Sequence, residues 1–477
     1  MDISIRTIGT LLTVAVILAA SGCSSDAVLR IRSLGTVTDP VAQTTSDGEF
    51  VGLKRLTGQA KNTNVLFVHG IGWTQEKTNT QFGDDLVRTI VQAFPNAKAR
   101  SLTYACSTST LDGRTESRAK NNGLIILTNA YKHGLQSDDP RFLPQPTELG
   151  CLDKVVIDIG GDKTITVYRF LWDDAMWNGA EWFHMAYDDP IAKVNGVKAG
   201  HPGYDDPDSL RASLNSQLKN SVITYGLTDA ALYMSPVGQA MREGVQASIC
   251  TAIAGNFDSV ISISQVVNAS DLCAGETTVK APLLLVSHSL GSRVVFDTVK
   301  TDLTETLAKR ISAGISNETL EIHMLANQIP LVGIGRLGSE RSHVRIPGKS
   351  ITLVAYSEIN DLLTYELVPY FEQLYYVRCY GERLSTSGCT ASAKDEFAAR
   401  AGVITKAART ELIKELGFDV VDVRLQFAPN KIFFYSALKD PGIAHSGHLA
   451  SKSVSSLLLC GAKKGKERLS LIECLRE

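Results

Sequence analysis

The chain has 477 residues, 44% of them hydrophobic and 21% charged, a globular composition that excludes the disordered and fibrous classes. Lys and Arg (48) nearly balance Asp and Glu (50). A net charge of −2 gives no reason to condense on a phosphate backbone, so nucleic-acid binding is set aside.

An apolar stretch from Ile8 to Ala20 runs into Ser21-Gly22-Cys23-Ser24-Ser25. It is too short for a stable membrane span and has the form of an export signal over residues 1–22. The small residues before Cys23 resemble a bacterial lipoprotein cleavage box. That resemblance implies lipidation at Cys23 and a lipid-anchored place in the bacterial cell envelope. Ser24 stands where an aspartate would mark inner-membrane retention, which favours the outer membrane, facing the periplasm. The simpler alternative is a plain secretory signal, with Cys23 an ordinary thiol.

Export also fits the cysteines. Of nine, removing Cys23 leaves an even set, and in an oxidising compartment thiols pair. Short closures are entropically easiest. They predict Cys379–Cys389 and Cys460–Cys474, then Cys106–Cys151 and Cys250–Cys273. No Cys/His spacing suits zinc, and no metal site is expected.

Residues 23–60, rich in Ser, Thr, Asp and Gly, read as a flexible tether, and 61–477 as the folded body. The body opens with Asn64 to Val68, a short apolar run of the kind found in parallel strands covered on both faces. His69-Gly70 bounds it. Phe82, Leu86, Val87, Ile90, Val91 and Phe94 then mark the apolar stripe of a helix. Lys154 to Ile159 and Thr164 to Trp172 form a predicted hairpin around Gly160-Gly161. Helical segments are expected near 209–218 and 237–254. The next buried strand is Leu283 to Val286, leading into Ser287-His288-Ser289-Leu290-Gly291 and a helical Ser292 to Asp297. Strand-like runs follow at Leu320 to Leu325, Ile351 to Tyr356 and Val420 to Ala437. Such alternation argues for an α/β class with a mostly parallel sheet flanked by helices, and for a cleft at the carboxyl ends of its strands.

About 220 residues separate His69 from Ser289, whereas one helix and one strand with their loops need roughly 60–80. The excess is an insertion at about 106–275, expected to act as a cap, with 98–104 or 164–172 joining the main sheet. Trp172, Trp177, Trp182, Phe183 and Tyr187 suit either a substrate-facing lid or the insertion's own core; Met176, Ala180, Phe183 and Tyr187, at helical spacing, favour the core. Lys463, Lys464, Lys466 and Arg468 form a solvated tail or a patch for anionic headgroups.

Ser289 between a buried strand and a helix has the context of a nucleophile elbow, in which a sharp turn lifts the serine out of the sheet. Ser287 occupies the first small position, where glycine is usual. Acyl transfer needs two donors for the oxyanion: Leu290 N–H is one, and Phe67-Val-His-Gly-Ile-Gly72 offers Ile71, or Gly70, as the other. His69 is read as a structural histidine beneath that turn. With the HG turn, the S-x-S-x-G elbow and the order Ser, Asp, His, the chain resembles the α/β-hydrolase superfamily, over roughly 62–100 and 280–450. The resemblance implies an esterase or lipase-like serine hydrolase with an acid after the strand Ile351 to Tyr356 and a base beyond the last strand. Asp361 and Glu358 both qualify as acid; Asp361 falls in the loop proper and is preferred. His445 and His448 both qualify as base; His445, after Pro441-Gly-Ile-Ala444, is preferred.

The expected activity is cleavage of carboxylic esters, lipid esters included, through an acyl-enzyme, with no cofactor. The expected partners are an ester or lipid substrate and the membrane at the N-terminal anchor. The alternatives are an inactive envelope scaffold of the same fold, and an acyltransferase that passes the acyl group to an alcohol rather than water.

Overall fold

The computed structural model describes residues 26–35, 48–70, 76–100, 106–111, 114–119, 123–128, 147–172, 228–234, 237–274, 280–333, 344–380, 406–432, 435–439 and 441–463. Eleven strands make one sheet: β1 (Ala27–Ser33), β2 (Asn62–Val68), β3 (Lys98–Ala99), β4 (Gly123–Thr128), β5 (Thr147–Gly160), β6 (Lys163–Leu171), β7 (Val266–Asn268), β8 (Leu283–His288), β9 (Thr319–Leu325), β10 (Ser350–Glu358) and β11 (Asp419–Gln426). Their order is β1-β11-β10-β9-β8-β2-β6-β5-β4-β7, with β3 paired to β5. From β11 through β6 every neighbour is parallel. β1 closes one flank antiparallel to β11, and β5 runs antiparallel to β6 and to β4 on the other.

The centre of this sheet follows from its apolar runs. All six residues of β8 are buried. Leu283 and Leu285 enter the core beneath α2 (Val237–Ala254) and α3 (Leu290–Phe296); Leu284 and Val286 enter the opposite core beneath α1 (Glu76–Ala93) and α6 (Lys452–Cys460). Both faces are therefore covered, which is why the run is continuous rather than alternating. The α1 stripe is seated as its spacing predicts, with Leu86, Val87 and Ile90 buried and Phe82 and Val91 packed beside them. The hairpin turns at Gly160, Gly161 and Asp162, all at positive φ. Its second strand, β6, is the main-sheet neighbour of β2, and β3 also joins the sheet. Of the two segments weighed for that place, 164–172 supplies β6 and 98–104 supplies Lys98–Ala99.

Two expectations change. Within the segment read as a tether, Ala27–Ser33 is β1: Val28 is buried, and Arg30 and Arg32 pair with Glu366 at 2.6 Å and Glu372 at 3.2 Å. A strand at a sheet's flank needs few apolar residues, and ion pairs supply the rest of its seating. Beyond it, Phe50–Val51 pairs with Gly461–Ala462, and Leu53–Gln59 is helical. The insertion at 106–275, expected as a cap, contributes β4 to β7 to the sheet and α2 to its face, so its described core extends the body. Its apolar residues enter the same two cores as the central strands, Leu152 and Phe170 on one face and Ile157 and Val167 on the other.

The disulfide Cys250–Cys273 ties α2 to the short helix Ala269–Ala274. Cys151 and Cys460 are disulfide-bonded as well. The side chains of Cys106, Cys379, Cys389 and Cys474 lie outside the described residues, as do Cys23, the segment near 209–218, and Trp177, Trp182, Phe183 and Tyr187.

Candidate active site

Ser289 follows β8 directly and caps α3 with φ 54° and ψ −128°. A side-chain residue adopts positive φ at a cost of order 1–3 kcal/mol, and such strain persists only where the surroundings fix it. Here they do. Ser289 N–H donates to Leu325 O at 2.8 Å at the end of β9, and Ser292 Oγ–H returns to Ser289 O at 2.5 Å. Gln328 N–H in turn donates to Ser292 Oγ at 3.0 Å.

Two glycines allow the elbow to meet the end of β2. A Cβ at Gly291 would stand 2.2 Å from His69 O and 2.6 Å from Val68 O, and one at Gly70 would stand 2.4 Å from Ser289 Cβ. Neither position has room for any other residue, so the backbone of Gly70 lies against the serine. Leu290 N–H is the first amide of α3, among the four that no helical carbonyl can reach, and the helix dipole adds positive potential there. Ile71, the expected second oxyanion donor, lies outside the described residues; Gly70 is inside them and adjacent to Ser289.

The loops after β10 and β11 complete the constellation. His445, in α5 (Pro441–Ser446), places Nε2 2.8 Å from Ser289 Oγ and Nδ1 2.8 Å from Asp361 Oδ2. Asp361 Oδ1 accepts Leu363 N–H at 2.9 Å. Burial pushes the Asp361 carboxyl upward, but the bond to His445, that ring's charge and the Leu363 amide outweigh it and hold the pKa below the usual value. The carboxylate therefore stays ionised beside the imidazole. An Nδ1–H donated to Asp361 leaves Nε2 to accept from the serine hydroxyl, the tautomer a general base requires.

The two pairs left open by sequence separate cleanly. Glu358 turns away from His445: its carboxylate accepts Asn360 Nδ2–H at 2.9 Å, Phe427 N–H at 3.3 Å and Ala428 N–H at 3.4 Å, joining the chain beyond β10 to that beyond β11. It is buried rather than solvated, and among the described residues it forms no ion pair. His448 is buried behind the base, its Nδ1–H donating to His445 O at 3.1 Å.

His288, which the sequence offers only as the variable residue of the elbow, has a role beside it. Its Nε2–H also reaches His445 O at 3.1 Å, and its ring stacks on Phe82 at 4.1 Å. One carbonyl thus receives two imidazole donors, which fixes the backbone of the base. Burial lowers both rings, His448 to about 4 and His288 well below its ordinary value, so both are neutral near pH 7. His69 is structural: Trp172 stacks on it at 4.7 Å, donates its N–H to His69 Nε2 at 3.2 Å, and donates Nε1–H to His69 O at 3.0 Å. Trp172 is accordingly core and not lid.

Chemically, the arrangement holds a serine hydroxyl against an imidazole, that imidazole against a carboxylate, and a helix N-terminus beside the serine. Comparison with protein-family models, with curated proteins and with solved structures finds no match to this chain.

Proposed function

We propose that the protein is a serine hydrolase of the α/β-hydrolase type that cleaves carboxylic esters through an acyl-enzyme. The observation that carries this reading is the unbroken line Ser289 Oγ, His445, Asp361, each link 2.8 Å long, with the serine on a strained elbow. His445 Nε2 takes the Ser289 proton as Oγ attacks the ester carbonyl carbon. The carbonyl oxygen becomes an oxyanion beside Leu290 N–H. His445 then delivers the proton to the departing alkoxide, which leaves as an alcohol and breaks the C–O bond. Water repeats the sequence on the acyl-serine, releasing the acid and restoring the hydroxyl.

The reading includes lipidation at Cys23 and attachment to the envelope, both drawn from the Ser-Gly-Cys box. Hydrolysis of p-nitrophenyl esters of graded acyl length by the full chain tests the activity. Turnover should be saturable and should fall by several orders of magnitude in Ser289→Ala, which removes one hydroxyl from a buried site. Adding a long-chain alcohol separates hydrolysis from acyl transfer: free acid as the product supports the reading, and alkyl ester as the sole product contradicts it.

A further inference from the structure

Asp26, the first described residue, is fastened beside the site: its carboxylate accepts Ser451 Oγ–H at 2.9 Å and Lys452 N–H at 2.6 Å, at the start of α6. β1 follows, with Ala27 opposite Gln426 at the end of β11. The chain therefore enters the body at the carboxyl edge of the sheet, the edge that carries Ser289, Asp361 and His445. Only two residues, Ser24 and Ser25, separate Asp26 from Cys23, a reach of about 11 Å at full extension.

The same edge gathers exposed apolar side chains. Among the described residues seven large ones are exposed, and five belong here: Leu29, Ile359, Leu362, Tyr365 and Ile443. Leu362, 73% exposed, follows the acid Asp361, and Ile443 precedes the base His445 by two residues. The Arg30–Glu366 pair at 2.6 Å and the Ile359 N–H bond to Leu425 O at 3.0 Å hold the acid loop against β1 and β11. The other two, Ile263 and Val266, lie toward the far flank, where Val266 opens β7. Apolar tips grouped on one edge mark a surface that is covered in use, and a tyrosine among them suits a membrane interface. A lipid anchor joined to that edge by two residues makes a bilayer the covering that geometry brings there. It also gives the anchor a second contact, which firm attachment of peripheral proteins needs.

We infer that the anchored protein lies with the carboxyl edge of its sheet on the bilayer that holds Cys23, so that Ser289 draws its ester substrates from the lipids of that bilayer. The inference rests on the proposed roles of Cys23 and Ser289, and its test separates from theirs. Full-length protein carrying an environment-sensitive fluorophore at Leu362→Cys or Ile443→Cys, with Ile263→Cys as the control, is placed in phosphatidylethanolamine/phosphatidylglycerol vesicles doped with brominated lipid. Probes at 362 and 443 should be quenched several-fold more than the probe at 263. Equal quenching, or quenching at 362 by aqueous iodide alone, overturns the orientation. Shielding of 362 from both quenchers also overturns it, since protein and not lipid would then cover the edge. Palmitate incorporation and fluorophosphonate labelling are read on the same preparation, so that failure at Cys23 or Ser289 is recognised as such. The activity arm uses Leu362→Glu with Ile443→Glu. Turnover of a fluorogenic phospholipid ester within the vesicles should fall about tenfold, while p-nitrophenyl acetate in the water is cleaved within about twofold of wild type. Equal loss on both substrates contradicts the inference.

Discussion

At the scale of single residues, roles divide by what each side chain touches. Asp361 touches His445 and Glu358 does not, so Asp361→Asn should lower kcat by up to about 10⁴ by favouring the wrong tautomer. Glu358→Gln should instead cost about 1–3 kcal/mol of stability, because an acceptor oxygen facing buried N–H groups becomes a donor, while activity per folded molecule stays within a few-fold. Steady-state kinetics and denaturant unfolding of the two variants check both. His445→Ala should match Ser289→Ala, whereas His448→Asn should retain turnover within about tenfold, since the His448 ring bonds the His445 carbonyl and not the serine.

His448 also makes stability depend on pH. Its folded pKa, about 4, lies below the unfolded value of 6.5 because of burial, so between those limits the unfolded chain takes up the proton more readily. Its contribution is full above pH 6.5 and disappears as pH falls toward 4, a swing of about 3 kcal/mol. Asp422 works in the opposite sense: burial raises it to about 7, and its contribution is lost as pH rises through that value. Comparing wild type with His448→Asn removes the Asp422 part. The stability gap should be larger at pH 7.5 than at pH 4.5 by about 2–3 kcal/mol in urea unfolding; an equal gap at both would contradict the assignment.

At the scale of elements, the central strands were legible because burial on both faces writes itself as an uninterrupted apolar run, as in Leu283 to Val286 and Val65 to Val68. The elbow was legible because small residues at Ser287 and Gly291 satisfy a steric need that the distances from Gly291 make explicit. β1 was not legible, since its seating comes from Arg30 and Arg32 reaching Glu366 and Glu372, partners more than 300 positions away. Removing residues 24–35 should therefore cost about 3–5 kcal/mol, from the burial of Val28 and Leu34, and should expose the β11 edge to aggregation. A flexible tether would be lost without effect on the melting temperature. At the end of α3, Arg293 pairs with Asp297 at 2.8 Å with both side chains fully buried, and Tyr233 donates its hydroxyl to the same carboxylate. Asp297→Ala would remove a fully buried carboxylate from beside the buried Arg293 guanidinium, so about 3–5 kcal/mol of stability should be lost, measured by thermal unfolding.

At the scale of the whole molecule, one sheet brings together residues that the chain keeps far apart. His445 and Ser289 lie 156 positions apart and Asp361 and His445 lie 84, yet all three stand at the carboxyl ends of parallel strands or in the loops beyond them. Sequence order could name the loops but not choose within them. His445 over His448 and Asp361 over Glu358 are differences of side-chain direction, decided by which group β11 and α6 leave facing the serine. How much of the insertion joins the sheet was not legible for a related reason: β5 and β6 carry the apolar residues of a core, and sequence alone does not tell a core shared with the main sheet from one enclosed in a separate cap. The central claim is that Ser289 is an activated nucleophile, and the most direct measurement is reaction of the full chain with a fluorophosphonate, followed by mass spectrometry of the peptides. One phosphonate adduct is expected, on Ser289, formed rapidly by wild type and abolished in Ser289→Ala and His445→Ala. An adduct on any other residue, or undiminished labelling of Ser289→Ala, would contradict it.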